Sequence, residues 1–333
     1  MLMEKSESKD VMLIKYLDEM RYKLCSLNSQ IELHEEISHK LKLDFFIKRD
    51  DKIGVYGGNK VRKIEFIFKD IIRSRKKKVF IFGPTGSHHI IANLIYGKNL
   101  FDFYSFLFPT YLYEWGDRYV RENTEIITKL SKRYRIVRNP ILAFVIAKTL
   151  SFSEQGYFVP MGSTSPLSIL GFVIASYEIK KDIDSGKVPE FDYVILPAGT
   201  TGTIAGLSLG FSIFGINSKI IGVRVVEKSL CNKFVALKLI KDSCKLISDF
   251  IDVYGTIEKT KRNFIILDGF LGRGYGFPTD DVSEAMNFFG KYMKVEKTYT
   301  AKTLSALLKM REIFKGKKVL FYSTLNSNEL NLL

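Results

Sequence analysis

Apolar side chains recur at Val61, Ile64, Ile67, Phe68, Ile71 and Ile72 with polar residues between them, the spacing of a helix that buries one face. The residues before this run are apolar up to Lys48-Arg49-Asp50-Asp51 and predict a short strand ending in charge. Gly57-Gly58-Asn59-Lys60 joins the two: paired glycines make a tight turn, Asn59 is the expected N-cap, and Lys60 falls in the first helical turn. From residue 79 the alternation repeats, with strands predicted at 79–83, 101–108 and 134–138. Helices are predicted at 90–98 and from Asp117 to Lys132. A second series opens near Tyr157, with helices at 166–183, 204–214, 233–250, 280–293 and 301–314. Its strands fall at 193–198, 219–226, 264–267 and 318–323. Residues 1–45 are polar and helix-leaning, amphipathic at 11–24 and rich in Glu, His and Lys at 31–43. Strands spaced by helical segments predict an α/β chain whose parallel sheets carry helices on both faces.

At 333 residues, 46% hydrophobic and 13% aromatic, the chain can bury a large core and is long enough for two domains. Its formal charge of +15 would suggest nucleic acid only if the cations clustered. The one dense run, Arg73 to Lys78, lies between a helix and a strand and reads as a solvated connection. Val194 to Asn217 carries no charge and has Gly202, Gly206 and Gly210 at GxxxG spacing, which raises a membrane span. Pro197, Gly199 and the threonines at 200, 201 and 203 divide it into strand, turn and helix, each too short for a bilayer, so no membrane partner is expected. Three cysteines without CxxC spacing and four histidines predict neither a disulfide framework nor a metal site. The polar start at Met1 to Asp10 leaves a reducing cytoplasm as the expected compartment.

Ligands of open α/β sheets bind at loops beyond the carboxyl ends of the strands. Gly199-Thr200-Thr201-Gly202-Thr203 follows a strand and precedes a helix, so its backbone amides and the helix dipole suit one compact phosphate. It matches neither GxGxxG nor GxxxxGK[ST], which argues against a dinucleotide or a nucleoside triphosphate. Ser87, on the turn Gly86-Ser87-His88-His89, presents a hydroxyl and nearby amides to a carboxylate. A Ser-His hydrolytic pair is disfavoured, because adjacent side chains point apart and no GxSxG elbow is present. Lys60 sits at the positive end of a helix, where an ammonium deprotonates more easily, and a free amine is what Schiff-base chemistry needs.

IKRDD at 47–51 and GGNKVRK at 57–63 together resemble the opening motif of the pyridoxal-phosphate enzymes of the tryptophan-synthase β-like fold, fold type II, and in particular the D-cysteine desulfhydrase and 1-aminocyclopropane-1-carboxylate deaminase family. Four further segments resemble that family in register. Gly162 to Leu167 is similar to a GGSNPLG turn, and Gly272 to Thr279 to GxGYGxPT. Thr298-Tyr299-Thr300-Ala301-Lys302 stands where the family has YTGK or YEGK, and the helix after the Gly199–Thr203 loop starts AGL-like at Ala205-Gly206-Leu207. There are departures. His88 replaces the asparagine that contacts the cofactor's phenolic oxygen, and Ser323-Thr324-Leu325-Asn326 matches the family's HTGG turn only at Thr324.

The resemblance implies two open, mostly parallel sheets flanked by helices, with a small domain at 51–158 and a large one at 1–50 and 159–333. It implies pyridoxal 5'-phosphate on Lys60, its phosphate held by Gly199, Thr200, Thr201, Gly202 and Thr203, with Asn59, His88 and Thr324 completing the cofactor site. Ser87, His89 and Thr164 are then expected to bind substrate, and Tyr275 and Tyr299 to flank the reacting carbons alongside Ser87. The implied reaction is α,β-elimination from a small amino acid such as D-cysteine, giving a 2-oxo acid, ammonia and sulfide. A threonine at 300 rather than glutamate implies a weaker electron sink, suited to α-proton abstraction and a good β leaving group. The alternatives are a cyclopropane-opening deaminase, a β-replacement synthase, and a catalytically silent cofactor-binding homologue, the last suggested by His88. A homodimer is expected.

Overall fold

In a computed structural model that describes residues 7–277 and 279–325, the first half of the chain runs α1 (Lys9–Glu19), β1 (Ile31–Leu33), α2 (Glu35–Leu41), β2 (Asp44–Lys48), α3 (Lys60–Arg73), β3 (Lys78–Pro84), α4 (His88–Gly97), β4 (Asp102–Phe108), α5 (Tyr111–Glu114), α6 (Arg118–Leu130), β5 (Arg133–Ile136), α7 (Pro140–Ser153) and β6 (Tyr157–Val159). The second half continues α8 (Leu170–Asp184), β7 (Tyr193–Ala198), α9 (Gly202–Phe214), β8 (Lys219–Arg224), α10 (Lys233–Leu246), α11 (Val253–Asn263), β9 (Phe264–Leu267), α12 (Asp280–Phe289), α13 (Thr300–Lys309), α14 (Arg311–Phe314) and β10 (Lys318–Tyr322). Pro278 and Asn326 of the resembling motifs lie outside the described residues.

Two sheets form. One has six strands in the order β1-β2-β10-β7-β8-β9, parallel except for β1, and the other has four parallel strands in the order β5-β4-β3-β6. The central strands are apolar without alternation, as at Val194-Ile195-Leu196, because helices cover both faces. On the six-stranded sheet, Leu17, Phe172 and Leu207 pack on one face and Phe45, Leu304 and Leu307 on the other. The four-stranded sheet has Ile64, Ile91 and Ile127 on one side and Ala147 with Phe144 on the other. Among the described residues no helix is long and apolar enough to cross a membrane.

Several elements depart from expectation. Residues 31–43 hold a strand before the helix. The helix predicted at 301–314 breaks at Met310, and α10 ends at Leu246, leaving α11 unanticipated. Helix α7 was also missed. Its sequence is apolar nearly throughout, so no period stands out; its buried residues are the small Ala143, Ala147 and Ser151, while Ile141, Leu142 and Val145 are exposed. The signal was at its start, where Asn139 accepts from the amides of Ile141 and Leu142 and Pro140 occupies the first helical position. Gly206 and Gly171 let helices pack closely: a Cβ at Gly206 would stand 2.3 Å from the Ile169 carbonyl oxygen, and one at Gly171 2.1 Å from that of Arg62.

Candidate active site

Among the helices that begin without a side-chain cap are α3 at Asn59, α4 at Ser87 and α9 at Thr201. All three starts line one cavity of about 910 Å³ between the two sheets, beyond the carboxyl ends of β3, β4 and β7. Three positive helix ends aimed at one space favour anions. Asn59 was expected to cap α3. Instead its backbone is already helical, and its side chain bridges the cavity floor, donating to Thr203 Oγ1 at 3.0 Å and accepting from Lys60 Nζ at 2.9 Å.

Lys60 opens onto the cavity but is densely surrounded by protein. That desolvation lowers its ammonium to about 8, against an opposing pull from the Glu296 carboxylate. Burial, more than the helix dipole argued from sequence, is the main cause. One turn along α3, Lys63 donates to the Gly162 carbonyl and to Thr164 Oγ1 at 3.1 Å, and burial followed by the charge of Lys60 holds it well below the usual lysine range. Lys63 was missed by the sequence reading. Its signal was the i, i+3 spacing from Lys60, which puts both amines on one helix face.

The 199–203 loop lies at the start of α9, and its geometry fits a phosphate. Thr201 adopts φ +57°, the three amides that follow have no capping side chain, and a Cβ on Gly202 would stand 2.9 Å from Thr164. Uncapped amides, small residues and a buried lysine make a site for a compact dianion, so the residues present fit pyridoxal phosphate. Thr164 does not line the cavity, contrary to its expected role with substrate. Its hydroxyl pairs with Thr200 Oγ1 at 2.6 Å, which places it behind the loop as a brace.

Ser87, 6% exposed, lines the cavity at the start of α4. His89 lines it too, but its ring is engaged. Nε2 donates to the Phe82 carbonyl at 3.1 Å and Nδ1 lies 3.4 Å from Ser163 Oγ, leaving no ring nitrogen for substrate. His88 was expected to donate to the cofactor; both its nitrogens face tyrosine hydroxyls instead, Nδ1 at 2.5 Å from Tyr56 and Nε2 at 2.9 Å from Tyr119. Opposite, the Tyr275 and Tyr299 hydroxyls stand 2.7 Å apart. Burial pushes Tyr299 up to about 12, with the Tyr275 hydrogen bond pulling it down, and raises Tyr275 well above the usual range. Thr324 lines the cavity, and its carbonyl accepts from the Asn59 amide at 3.3 Å. Thr300 is buried outside the cavity, its hydroxyl without a partner among the described residues. Also missed were Glu227 and Leu230 after β8, Tyr56, and the α7 residues Ile141 and Phe144 that complete an apolar wall. Among the described residues no group of His, Cys, Asp or Glu could hold a metal ion.

The two adjacent histidines carry a pH prediction. Burial first, then nearby lysines, holds His88 at about 3; His89 is likewise held at about 3, chiefly by burial. Between that value and the ordinary one near 6.5, the unfolded chain binds protons that the folded chain refuses, so stability falls as pH drops through this window. The thermal midpoint of the cofactor-free protein is expected to fall from pH 7 to pH 5. In His89→Asn the slope should be smaller by up to about 1.4 kcal/mol per pH unit. Identical slopes in melts of the two proteins would refute the assignment.

The chain matches the family model described as pyridoxal-phosphate dependent enzyme over residues 27–324. A curated relative, a putative 1-aminocyclopropane-1-carboxylate deaminase of Pyrococcus furiosus, is 28% identical over 317 residues, covering 91% of both chains. A D-cysteine desulfhydrase of Klebsiella pneumoniae is 24% identical, covering 86% of this chain and 87% of its own. Among solved structures, an ACC deaminase homologue superposes with a TM-score of 0.80 at 24% identity, covering 97% of this chain and 96% of its own. A threonine deaminase isoform of Solanum lycopersicum gives 0.64 at 17% identity, covering 97% and 91%.

Proposed function

Because this chain belongs to the pyridoxal-phosphate dependent enzyme family, we propose that it is a deaminating lyase that removes the β-substituent and the amino group from a small amino acid, with D-cysteine the first substrate to test. The cofactor is pyridoxal 5'-phosphate, and in this reading Lys60 carries it. One observation supports this assignment above the others: a lysine amine held near 8 by burial, on the wall of a cavity that also receives the uncapped start of α9. Gly199 to Thr203 would hold the phosphate, with Lys63 drawn to its charged form opposite a dianion, and Thr324 and Asn59 would border the ring. When bound, the cofactor supplies an electron sink for charge developing at the substrate's α-carbon.

The remaining work falls to side chains of this chain. The Lys60 amine, on the cavity wall and held near 8, would accept the α-proton of a bound substrate. Ser87, with the uncapped amides of α4, would hold the substrate carboxylate. The Tyr275–Tyr299 pair shares one hydrogen bond, and Tyr299, the less raised of the two, would steady the leaving group or the reacting amine. Elimination is favoured over cyclopropane opening because position 300 has no carboxylate. Glu296, which binds its amide, also accepts those of Thr298 and Tyr299, all at 2.6–2.8 Å, and is occupied at the start of α13. The same reading has residues 51–158 as the smaller domain and the protein as a cytoplasmic homodimer.

A screen of D- and L-amino acids with separate assays for pyruvate, 2-oxobutanoate and sulfide tests the proposal. Pyruvate with stoichiometric sulfide from D-cysteine supports it. 2-Oxobutanoate from 1-aminocyclopropane-1-carboxylate would select the deaminase reading, and a loaded protein that turns over none of them would select a silent binder.

A further inference from the structure

A second cavity of about 280 Å³ lies behind the first, and His88 lines both. Tyr56, 1% exposed, belongs to the first; Tyr119, 38% exposed, belongs to the second, with Asp117, Lys294, Glu296 and Lys297 nearby. The imidazole bridges the two phenols through opposite ring nitrogens, at 2.5 Å and 2.9 Å. Building on the function proposed above, we propose that Tyr56, His88 and Tyr119 form a proton relay between the reaction cavity and solvent at Tyr119.

The chemistry requires no ionised intermediate. A neutral imidazole has one N–H and one bare nitrogen, and here each faces a hydroxyl that both donates and accepts. In an inward transfer, Tyr56 gives its hydroxyl proton to an acceptor in the cavity and takes the proton from Nδ1. Nε2 takes the hydroxyl proton of Tyr119, and Tyr119 takes one from water. As many bonds to hydrogen form as break, no electrons change hands, and one proton moves inward. The ring is left as its other tautomer, and an outward transfer restores it. Elimination to a 2-oxo acid suits this alternation, because one proton leaves the α-carbon and another is delivered to the β-carbon. Burial keeps the imidazole neutral, at about 3, and raises both phenols above their usual range, so all three members stay uncharged near pH 7. The asparagine expected at position 88 holds its amide protons and cannot exchange one nitrogen for another, so the histidine is what makes a relay possible.

Tyr119→Phe in the cofactor-loaded enzyme tests this, since Tyr119 does not line the reaction cavity. The relay predicts a fall in kcat of about tenfold or more, little change in KM, a larger solvent deuterium isotope effect, and recovery of rate as a small buffer such as imidazole is added. A purely structural role would not give buffer rescue. A second readout needs neither turnover nor cofactor. In protein labelled with 15N-histidine, Tyr119→Phe should shift the Nε2 resonance of His88 and Tyr56→Phe the Nδ1 resonance. Wild-type isotope effect and buffer independence in Tyr119→Phe, or ring resonances indifferent to both substitutions, would overturn the relay. A loaded enzyme whose Tyr119→Phe variant behaves as wild type defeats the relay alone. A protein that takes up no pyridoxal phosphate defeats the proposed function alone, and the 15N spectra then judge the hydrogen-bonded chain by themselves.

Discussion

Lys60→Ala is expected to lower turnover by a factor on the order of 10³ or more and to abolish borohydride labelling of the peptide that starts at residue 60. The magnitude follows from the two jobs that the proposed function rests on this one amine, covalent attachment of the cofactor and transfer of the α-proton. With its ammonium at about 8 rather than near 10.5, the free-amine fraction at neutral pH is roughly 300-fold larger than for an ordinary lysine. Lys60→Arg is the sharper control. It keeps the charge and most of the length but cannot deprotonate, so it should fail as completely as alanine. Lys60→Ala is expected to melt no lower than cofactor-free wild type, because a desolvated ammonium is not a source of stability, whereas the permanent charge of Lys60→Arg in the same site should lower the midpoint. Labelling that maps to Lys63 or Lys302, or substantial activity in either variant, would move the site elsewhere. Lys302 is the control worth mapping, since burial also brings it to about 8 and it donates to the Leu271 carbonyl at 2.7 Å.

Much of this arrangement is legible in the sequence, and the residues show why. Lys60 and the 199–203 loop were found because a strand, a turn of small residues and a helix succeed one another locally, and such turns come to the carboxyl edge of a parallel sheet. Side-chain direction was not legible. Thr164 and His89 had suitable chemistry, yet one braces the back of the loop and the other is spent on Phe82 and Ser163. The partners of His88 are 32 and 31 positions away in sequence, and no local pattern announces them. Helix α7 escaped because its buried stripe is made of small residues and its large apolar side chains face outward, inverting the usual period. Lys63 was hidden in plain view as the third basic residue of a helix that buries one face.

Arg62 is a cation that the structure buries completely, next to the turn that presents Lys60. Its guanidinium donates to both oxygens of Asp50 at 2.7 and 2.8 Å, to both oxygens of Glu178 at 2.8 and 2.9 Å, and to the Leu27 carbonyl at 2.8 Å. Lys48 adds a bond to Glu178 at 2.9 Å, and Tyr322 donates to Asp50. Two cations thus face two carboxylates, and the group joins β2, α3, α8 and β10 beneath the cavity. Among the described residues, Arg62→Ala leaves Lys48 as the cation that Asp50 and Glu178 share. Breaking a buried pair in this way costs about 3–5 kcal/mol, several times the effect of a typical surface substitution. Denaturant unfolding of the cofactor-free protein should therefore show a lower midpoint at an unchanged slope. Arg62→Lys should recover only part of the loss, because one ammonium cannot serve two carboxylates bidentately. Cofactor affinity should fall with stability, since Asn59 and Lys60 enter the same helix immediately before Arg62. A loss below about 1 kcal/mol in Arg62→Ala would mean that the carboxylates find water or protons instead, and that the frame under Lys60 does not depend on this ion cluster.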